Sequence, residues 1–370
     1  MKKIHEILLL AAVPGLMFCI VPVTGMELRL SWQLAAIWLG GLAFTAVLSS
    51  WWWKGFFLLA LARTATILPP AYEAYLGLLM IALFLAAAEG FRRIDPDRIM
   101  DGMCLAAIVL LLWMSLQQCG WAKTWFGPER IAGPFNPVSG GVFLALCLPA
   151  CMREDRLLLI PCIAWGIMMT GSSTAFLAAV AGTLCFVFRR YRDQGFLKRF
   201  TARSGFAVLL VLIVLTGIWF SQVRSFGNMI QGERWTAWKH AAWSLRSEAL
   251  GRGIGTWQTV FPLLASGDRR LGDVRNEGRT LVMNDIFAEA HNEYVQTAFE
   301  LGIPALLLIA AFMTATAWAI LRGTIAPHVA MGMTILFAIC FGWHVFHVAP
   351  TALLGSAWLG LSESRRREDR

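Results

Sequence analysis

Residues 284–312 read NDIFAEAHNEYVQTAFELGIPALLLIAAF, a polar half that passes directly into an apolar half. The pattern predicts a helix that begins at a membrane surface and continues into a span over 300–321. Similar apolar stretches recur along the chain. The other predicted spans are 7–23, 32–49, 55–70, 74–91, 98–117, 137–152, 156–170, 173–188, 204–221, 327–348 and 350–362. The predicted fold class is an all-α, polytopic integral membrane protein of about twelve transmembrane helices with one large periplasmic loop.

The composition supports a membrane protein. Of the 370 residues 58% are hydrophobic and only 15% are charged, against about 45–50% and roughly 25% in soluble domains. These proportions argue against a soluble two-domain enzyme, a disordered scaffold and a disulfide-stapled secreted module. The eight cysteines lie in or beside apolar runs and none forms a C-x-x-C pair, so we interpret them as small hydrophobic residues.

The positive charge follows the predicted topology. Lys and Arg number 32 against 23 Asp and Glu, a formal net charge of +9. With a cytoplasmic N-terminus, most of the basic residues fall in short loops on one side, whereas Arg29, Lys123 and Arg130 lie opposite. The positive-inside rule then places both termini in the cytoplasm and the large loop on the opposite, extracytoplasmic side. The charge excess is thereby explained by topology, and no nucleic-acid partner is predicted.

Three regions follow from this topology. We predict an N-terminal transmembrane bundle of about nine helices over 1–221, a periplasmic loop with amphipathic helices over 222–299, and C-terminal helices with a basic cytoplasmic tail over 300–370.

Within the periplasmic loop, 233–249 is predicted to be helical and to end at the glycines of GRG. Trp235, Trp238, Ala242 and Leu245 fall on one stripe. The stripe is typical of an amphipathic helix that lies on the bilayer with its tryptophans at the interface.

His291 is the first candidate catalytic residue. On a continuous helix His291, Val295 and Ala298 share a face. A solvent-facing histidine with an ordinary pKa near 6.5 is a natural general base for a hydroxyl nucleophile. Taken alone, a histidine in a loop is more often an ordinary surface residue.

His291-Asn292, followed after nine residues by Gly302, resembles the signature of the O-antigen ligase and polymerase superfamily. Arg234 and Trp238, which lead to GRGIGTWQTVFP, and the earlier GPERIAGPFNPVSGGVFLALCLPA also resemble that family. The resemblance covers about 125–320. The sequence departs from it at 172–174, where Ser-Ser-Thr stands in place of a frequent Ser-Arg pair, and at Ala305, usually Gly, Thr or Tyr.

The resemblance implies a membrane glycosyltransferase. Such an enzyme moves a glycan from an undecaprenyl-diphosphate carrier to an acceptor hydroxyl, a lipid A-core sugar for a ligase, on the periplasmic face. It implies His291 as the base, with Asn292 and Gly302 as motif support, and needs no cofactor, metal or nucleotide. Glu293 is a candidate partner that orients His291.

Arginines are the candidate ligands of the diphosphate, because guanidinium groups match phosphate oxygens bidentately. The candidates are Arg234, Arg130 and Arg252, of which the resemblance supports Arg234 best. An arginine that snorkels to lipid phosphates is the other interpretation of each, and we favour it for Arg252.

Other functions remain open at this stage. A polysaccharide polymerase or a protein O-oligosaccharyltransferase of the same superfamily would share the motifs, whereas a lipid-linked sugar transporter or a non-catalytic envelope partner would not need His291. Arg63, inside a predicted span, requires a cavity or a partner, for which Glu89 is one candidate. His344 and His347 lie one helical turn apart in span 327–348, where packing is the default interpretation.

Overall fold

The computed structural model describes residues 51–65, 72–124, 131–152, 156–194, 233–265, 275–277, 280–282 and 289–364. Within these residues the chain is helical apart from one short hairpin. The helices are α1 (Trp51–Ala65), α2 (Tyr72–Phe91), α3 (Pro96–Gln118), α4 (Pro137–Cys147), α5 (Leu159–Thr170), α6 (Ser173–Gln194), α7 (Glu233–Ser244), α8 (Thr256–Thr259), α9 (Phe261–Ala265), α10 (Glu293–Arg322), α11 (Pro327–Gly342) and α12 (Ala349–Ser364). Short 3-10 turns cover Leu148–Cys151 and Val345–His347, and the antiparallel hairpin pairs β1 (Arg275–Glu277) with β2 (Thr280–Val282).

Each predicted apolar segment on described residues contains a helix over most of its length. Three of these helices, α3, α6 and α10, are long and apolar enough to cross a membrane. The chain is therefore a helical membrane protein. The predicted spans 7–23, 32–49 and 204–221 lie outside the described residues, so the number of about twelve spans and the three predicted regions remain predictions.

Close helix packing builds the core that carries the site. α11 lies along α6, where Gly182 lets Ile335 approach, and along α12, where Gly332 lets Trp358 approach. A Cβ on Gly332 would lie 2.3 Å from the Trp358 ring, so only glycine fits there. The Trp358 indole, fully buried, donates a hydrogen bond of 2.9 Å to the carbonyl of Leu146 in α4.

The predicted continuous span 327–348 is wrong over its last six residues. α11 ends at Gly342, and Trp343 takes up an extended conformation with φ −157°. Side chains from elsewhere satisfy backbone groups of the broken segment. The Phe346 N–H donates to the Glu293 carboxylate at 2.7 Å, and the Thr351 hydroxyl donates to the Val345 carbonyl at 2.7 Å. His344 and His347 therefore lie in a connection between two helices.

The hypothesis that Arg63 pairs with Glu89 is also wrong. Arg63 lies near the end of α1 and donates to the Gly251 carbonyl. Glu89, fully buried at the far end of α2, accepts hydrogen bonds from Arg92 at 2.5 Å and Arg93 at 3.2 Å. Arg63 is thus bound by a backbone carbonyl, whereas Glu89 forms ion pairs with Arg92 and Arg93.

Candidate functional site

Asn292 begins the helix that carries the predicted motif. Its side-chain oxygen accepts hydrogen bonds from the Tyr294 and Val295 N–H groups at 3.0 and 3.1 Å, so Asn292 is the N-cap of α10. His291 lies outside the helix with φ 52°, a left-handed conformation that is uncommon for a residue other than glycine. The predicted shared face of His291, Val295 and Ala298 is therefore wrong, because the cap starts the helix two residues later.

His291 is buried. Only 9% of its surface is exposed, and its ring centroid lies 5.3 Å from that of Trp343 and 4.9 Å from that of His344. The expected solvent-facing side chain is thus wrong, since the break after α11 covers the imidazole. Its Nδ1 atom has no hydrogen-bond partner among the described residues.

The electrostatic environment keeps His291 neutral. Burial and, second, the positive charge of Arg234 lower the pKa of His291 to about 3. The neighbouring His344 has a pKa well below its usual value for the same first reason, with His291, His347 and Arg234 adding to the effect. Both rings therefore keep a free electron pair at neutral pH, which a proton acceptor requires.

Arg234 reaches this environment because α7 is fixed beside it. The Trp238 indole donates a hydrogen bond of 2.8 Å to the carbonyl of Ala290, the residue before His291. Arg234 lies one turn earlier on the same helix and is exposed. The structure thus brings the predicted base and the best-supported diphosphate ligand into electrostatic range of each other.

The predicted C-terminal end of α7 is wrong. The helix ends at Ser244, five residues before the predicted end. Its buried stripe consists of small residues, with Ala237 and Ala241 packed in a cluster with Trp257 and Phe299, while Trp235 is 43% exposed. Trp235 is thus available for contact with a bilayer interface, and the predicted position of the tryptophan stripe at that interface stays a prediction.

A kink in α10 joins this helix to the glycine-rich loop. Gly302 has φ 78° and ψ −174°, which interrupts the helix. The carbonyls of Phe299 and Glu300, freed by the interruption, accept hydrogen bonds from the Arg252 N–H at 2.9 Å and the Gly253 N–H at 2.7 Å. Pro304 has no N–H to offer the Glu300 carbonyl, so the loop supplies the missing donor.

The same junction requires glycine on both sides. The Ile303 N–H donates to the Ala249 carbonyl at 2.9 Å, which completes a clamp of three backbone hydrogen bonds between 249–253 and α10. A Cβ on Gly302 would lie 2.3 Å from the carbonyl carbon of Leu250, and one on Gly251 would lie 2.4 Å from the Gly302 nitrogen. The spacing from Asn292 to Gly302 therefore sets the distance between the cap and the clamp.

The remaining predicted site residues are placed as follows. The Glu293 carboxylate contacts the Phe346 N–H and, at 3.6 Å, His347, so among the described residues it does not reach His291 directly. The guanidinium of half-buried Arg252 lies over the Phe299 ring, 5.9 Å from its centroid. Arg130 lies outside the described residues.

Comparison with known families finds one match to this region. Residues 158–310 match the family described as O-antigen ligase. This region is similar to O-antigen ligases. It contains α7, the glycine-rich loop, His291 and the Gly302 clamp, and it supports a ligase- or polymerase-like function in glycan transfer at a membrane. No curated protein matches the chain.

The matched region departs from the resemblance where α6 begins. Ser172 is buried and its hydroxyl accepts a hydrogen bond from the Ala175 N–H at 3.3 Å. Thr174 packs against Gly342, where a Cβ would lie 2.9 Å from its hydroxyl oxygen. Hydroxyl groups thus occupy this helix start, next to the connection that carries His344.

Sequence reasoning missed an ionic cluster behind His291. His347 Nδ1 lies 3.0 Å from a Glu289 carboxylate oxygen, and Gln258 donates to the other at 3.3 Å. Burial alone would lower the pKa of His347, but Glu289 and Glu293 outweigh it and raise the pKa to about 10. His344 and His347, two histidines near the end of the predicted span 327–348, were the available signal. Among the described residues no group of three His, Cys, Asp or Glu side chains has the geometry to hold a metal ion.

Proposed function

We propose that this protein transfers a glycan from an undecaprenyl-diphosphate carrier to an acceptor hydroxyl on the periplasmic face of the bacterial inner membrane, with a lipid A-core sugar as the acceptor. The observation that carries the proposal is a buried, neutral His291 held beside Arg234 at the start of the kinked helix of a region similar to O-antigen ligases. The lipid diphosphate is itself the activated leaving group.

His291 and Arg234 have separate roles in the proposed reaction. The acceptor oxygen attacks the anomeric carbon while the bond from that carbon to the diphosphate oxygen breaks, and the leaving diphosphate takes the electron pair. His291 accepts the hydroxyl proton, a contribution of about 10²–10⁴ in rate. Arg234 stabilises the charge of the leaving group. The bound diphosphate also offsets the repulsion that Arg234 exerts on a protonated His291, so His291 becomes a stronger base when the donor is present.

Contacts between helix ends support the proposed orientation. Arg63, at an end predicted to be periplasmic, contacts Gly251 of the loop. Arg189, at an end predicted to be cytoplasmic, is buried and donates to the Ile325 carbonyl at 3.1 Å. Ends that the charge pattern assigns to one side of the membrane pack against each other, which favours an external position for His291.

The direct test uses the purified full chain in detergent with undecaprenyl-diphosphate glycan and no added metal or nucleotide. We expect glycan on lipid A-core, detected as a mass shift of the acceptor. Product on a second lipid-linked chain would instead identify a polymerase, and product on a protein would identify an oligosaccharyltransferase. Transport of the donor across vesicle membranes without any product would reject the enzyme in favour of a transporter.

Arg234→Ala should weaken the use of the donor. A charge-assisted hydrogen bond contributes about 1.5–3 kcal/mol, so we expect kcat/KM for the donor to fall about 10- to 10²-fold. Arg275→Ala, in β1, is the matched control and should leave the value unchanged. Equal effects of the two substitutions, measured by donor titration, would reject Arg234 as a diphosphate ligand.

The pH profile should lack the usual acid limb of a histidine base. His291 must be neutral to accept a proton, and its pKa is lowered to about 3, so kcat/KM should stay level as the pH falls from 7 to 5. Arg234→Gln removes the second cause of the shift, which should move the acid limb to higher pH. If kcat/KM of the wild type instead falls as the pH is lowered from 7 to 6, the lowered pKa of His291 is wrong.

A further inference from the structure

Two buried imidazoles face each other in the site. The ring centroids of His291 and His344 lie 4.9 Å apart, and the side chains are 9% and 6% exposed. The Nδ1 atom of each ring is buried without a hydrogen-bond partner among the described residues. An unpaired buried polar atom ordinarily lowers the stability of a fold by about 1–3 kcal/mol. The two Nδ1 atoms are therefore expected to destabilise the folded protein.

The position of His344 is fixed by its neighbours. Its ring stacks on that of Trp343, with the centroids 4.0 Å apart, directly after the helix break at Gly342. On its other side the His347 ring lies at 6.1 Å, held by Glu289 and Glu293. The packing thus places a second imidazole at the side of His291.

Burial and the surrounding charges keep His344 neutral. Three titratable or charged groups act on it from the neighbouring elements: His291 before α10, His347 in the 3-10 turn and Arg234 from α7. Protonated His347 and Arg234 both oppose a positive charge on His344. His344 therefore retains an electron pair and remains a hydrogen-bond acceptor.

We propose that His344 is a positioning residue for His291, an inference that rests on the proposed function. In the resting state the proton of His291 is on Nδ1 and its Nε2 has the free electron pair. When Nε2 takes the proton of the acceptor hydroxyl, His291 becomes an imidazolium, and rotation of the two adjacent rings lets its Nδ1–H donate to Nδ1 of His344, a contact that the resting structure does not contain. The pairing stabilises the charge that forms on His291 and fixes the ring for attack. After product release the Nε2 proton returns to water.

The test compares three purified variants in the transfer assay. We expect His344→Ala to lower kcat by about 10²-fold while the KM values for donor and acceptor stay within about twofold. His344→Gln keeps an acceptor oxygen and should recover much of the loss. His328→Ala, at the other end of α11, is the matched control and should act like wild type. Thermal unfolding of each variant shows whether the fold persists.

The outcomes separate this inference from the proposed function. Full activity of His344→Ala beside an inactive His291→Ala would overturn the role of His344 and leave the function intact. Full activity of His291→Ala would remove the proposed base itself. If His344→Ala loses activity together with thermal stability, and His344→Gln restores neither, His344 serves only the packing and the inference is wrong.

Discussion

We expect His291→Ala to lower the rate of glycan transfer by about 10²–10⁴-fold, because the substitution removes the group that accepts the hydroxyl proton. The fold should survive the change. The Nδ1 atom of His291 has no hydrogen-bond partner among the described residues, so its removal leaves no buried partner unsatisfied there. The measurement is single-turnover transfer with saturating donor and acceptor.

The control separates chemistry from folding. His291→Asn retains a residue type that tolerates the left-handed conformation at this position and should be equally inactive. His328→Ala should be fully active. If either His291 variant transfers glycan at the wild-type rate while its thermal unfolding is unchanged, His291 is not the base and the proposed mechanism fails.

Gly302→Ala should destabilise the protein more than the addition of a methyl group at any other position on α10. The added Cβ would lie 2.3 Å from the Leu250 carbonyl carbon and 2.6 Å from the Gly251 nitrogen, both backbone atoms that cannot rotate away. The left-handed φ of 78° adds a conformational cost of about 1–2 kcal/mol. We expect a large fall in the midpoint of thermal unfolding and loss of transfer, because the loop that carries Arg252 can no longer dock.

Gly55→Ala provides the matched substitution. Gly55 lies in α1, where the nearest contact of a new Cβ is Leu308 Cδ2 at 3.7 Å, an ordinary distance. In a helix interior alanine is favoured over glycine by about 1 kcal/mol, so this variant should be at least as stable as wild type. Equal unfolding midpoints for Gly302→Ala and Gly55→Ala would contradict the clamp.

The helices were predictable because their signal is local. An apolar stretch long enough to span a membrane forms a helix whichever neighbours it meets, and the predicted segments on described residues contain helices for this reason. The error over 327–348 arose where the signal is not local. The helix ends before Trp343, and the N–H of Phe346 in the broken segment donates to the carboxylate of Glu293, which lies 53 residues away in the sequence.

The site also contains residues that a local motif predicts and contacts that no local motif predicts. His291, Asn292 and Gly302 stand in one short motif, and Arg234 stands at the start of a recognisable helix, so the sequence pointed to all four. The burial of His291 depends on Trp343 and His344, and the partner of Glu293 is His347. These contacts join parts of the chain about fifty residues apart, and no pattern within a single helix contains them.

The clamp at Gly302 has a consequence for biosynthesis. Within a bilayer every backbone N–H and carbonyl needs a hydrogen-bond partner, because each unsatisfied group costs several kcal/mol of stability. α10 interrupts its own hydrogen-bond ladder and obtains partners from 249–253. The helix is thus incomplete as an independent insertion unit. Since its partner segment precedes it in the chain, the partner is already synthesised when α10 enters the membrane, and the glycine-rich loop is part of the folding unit of that helix.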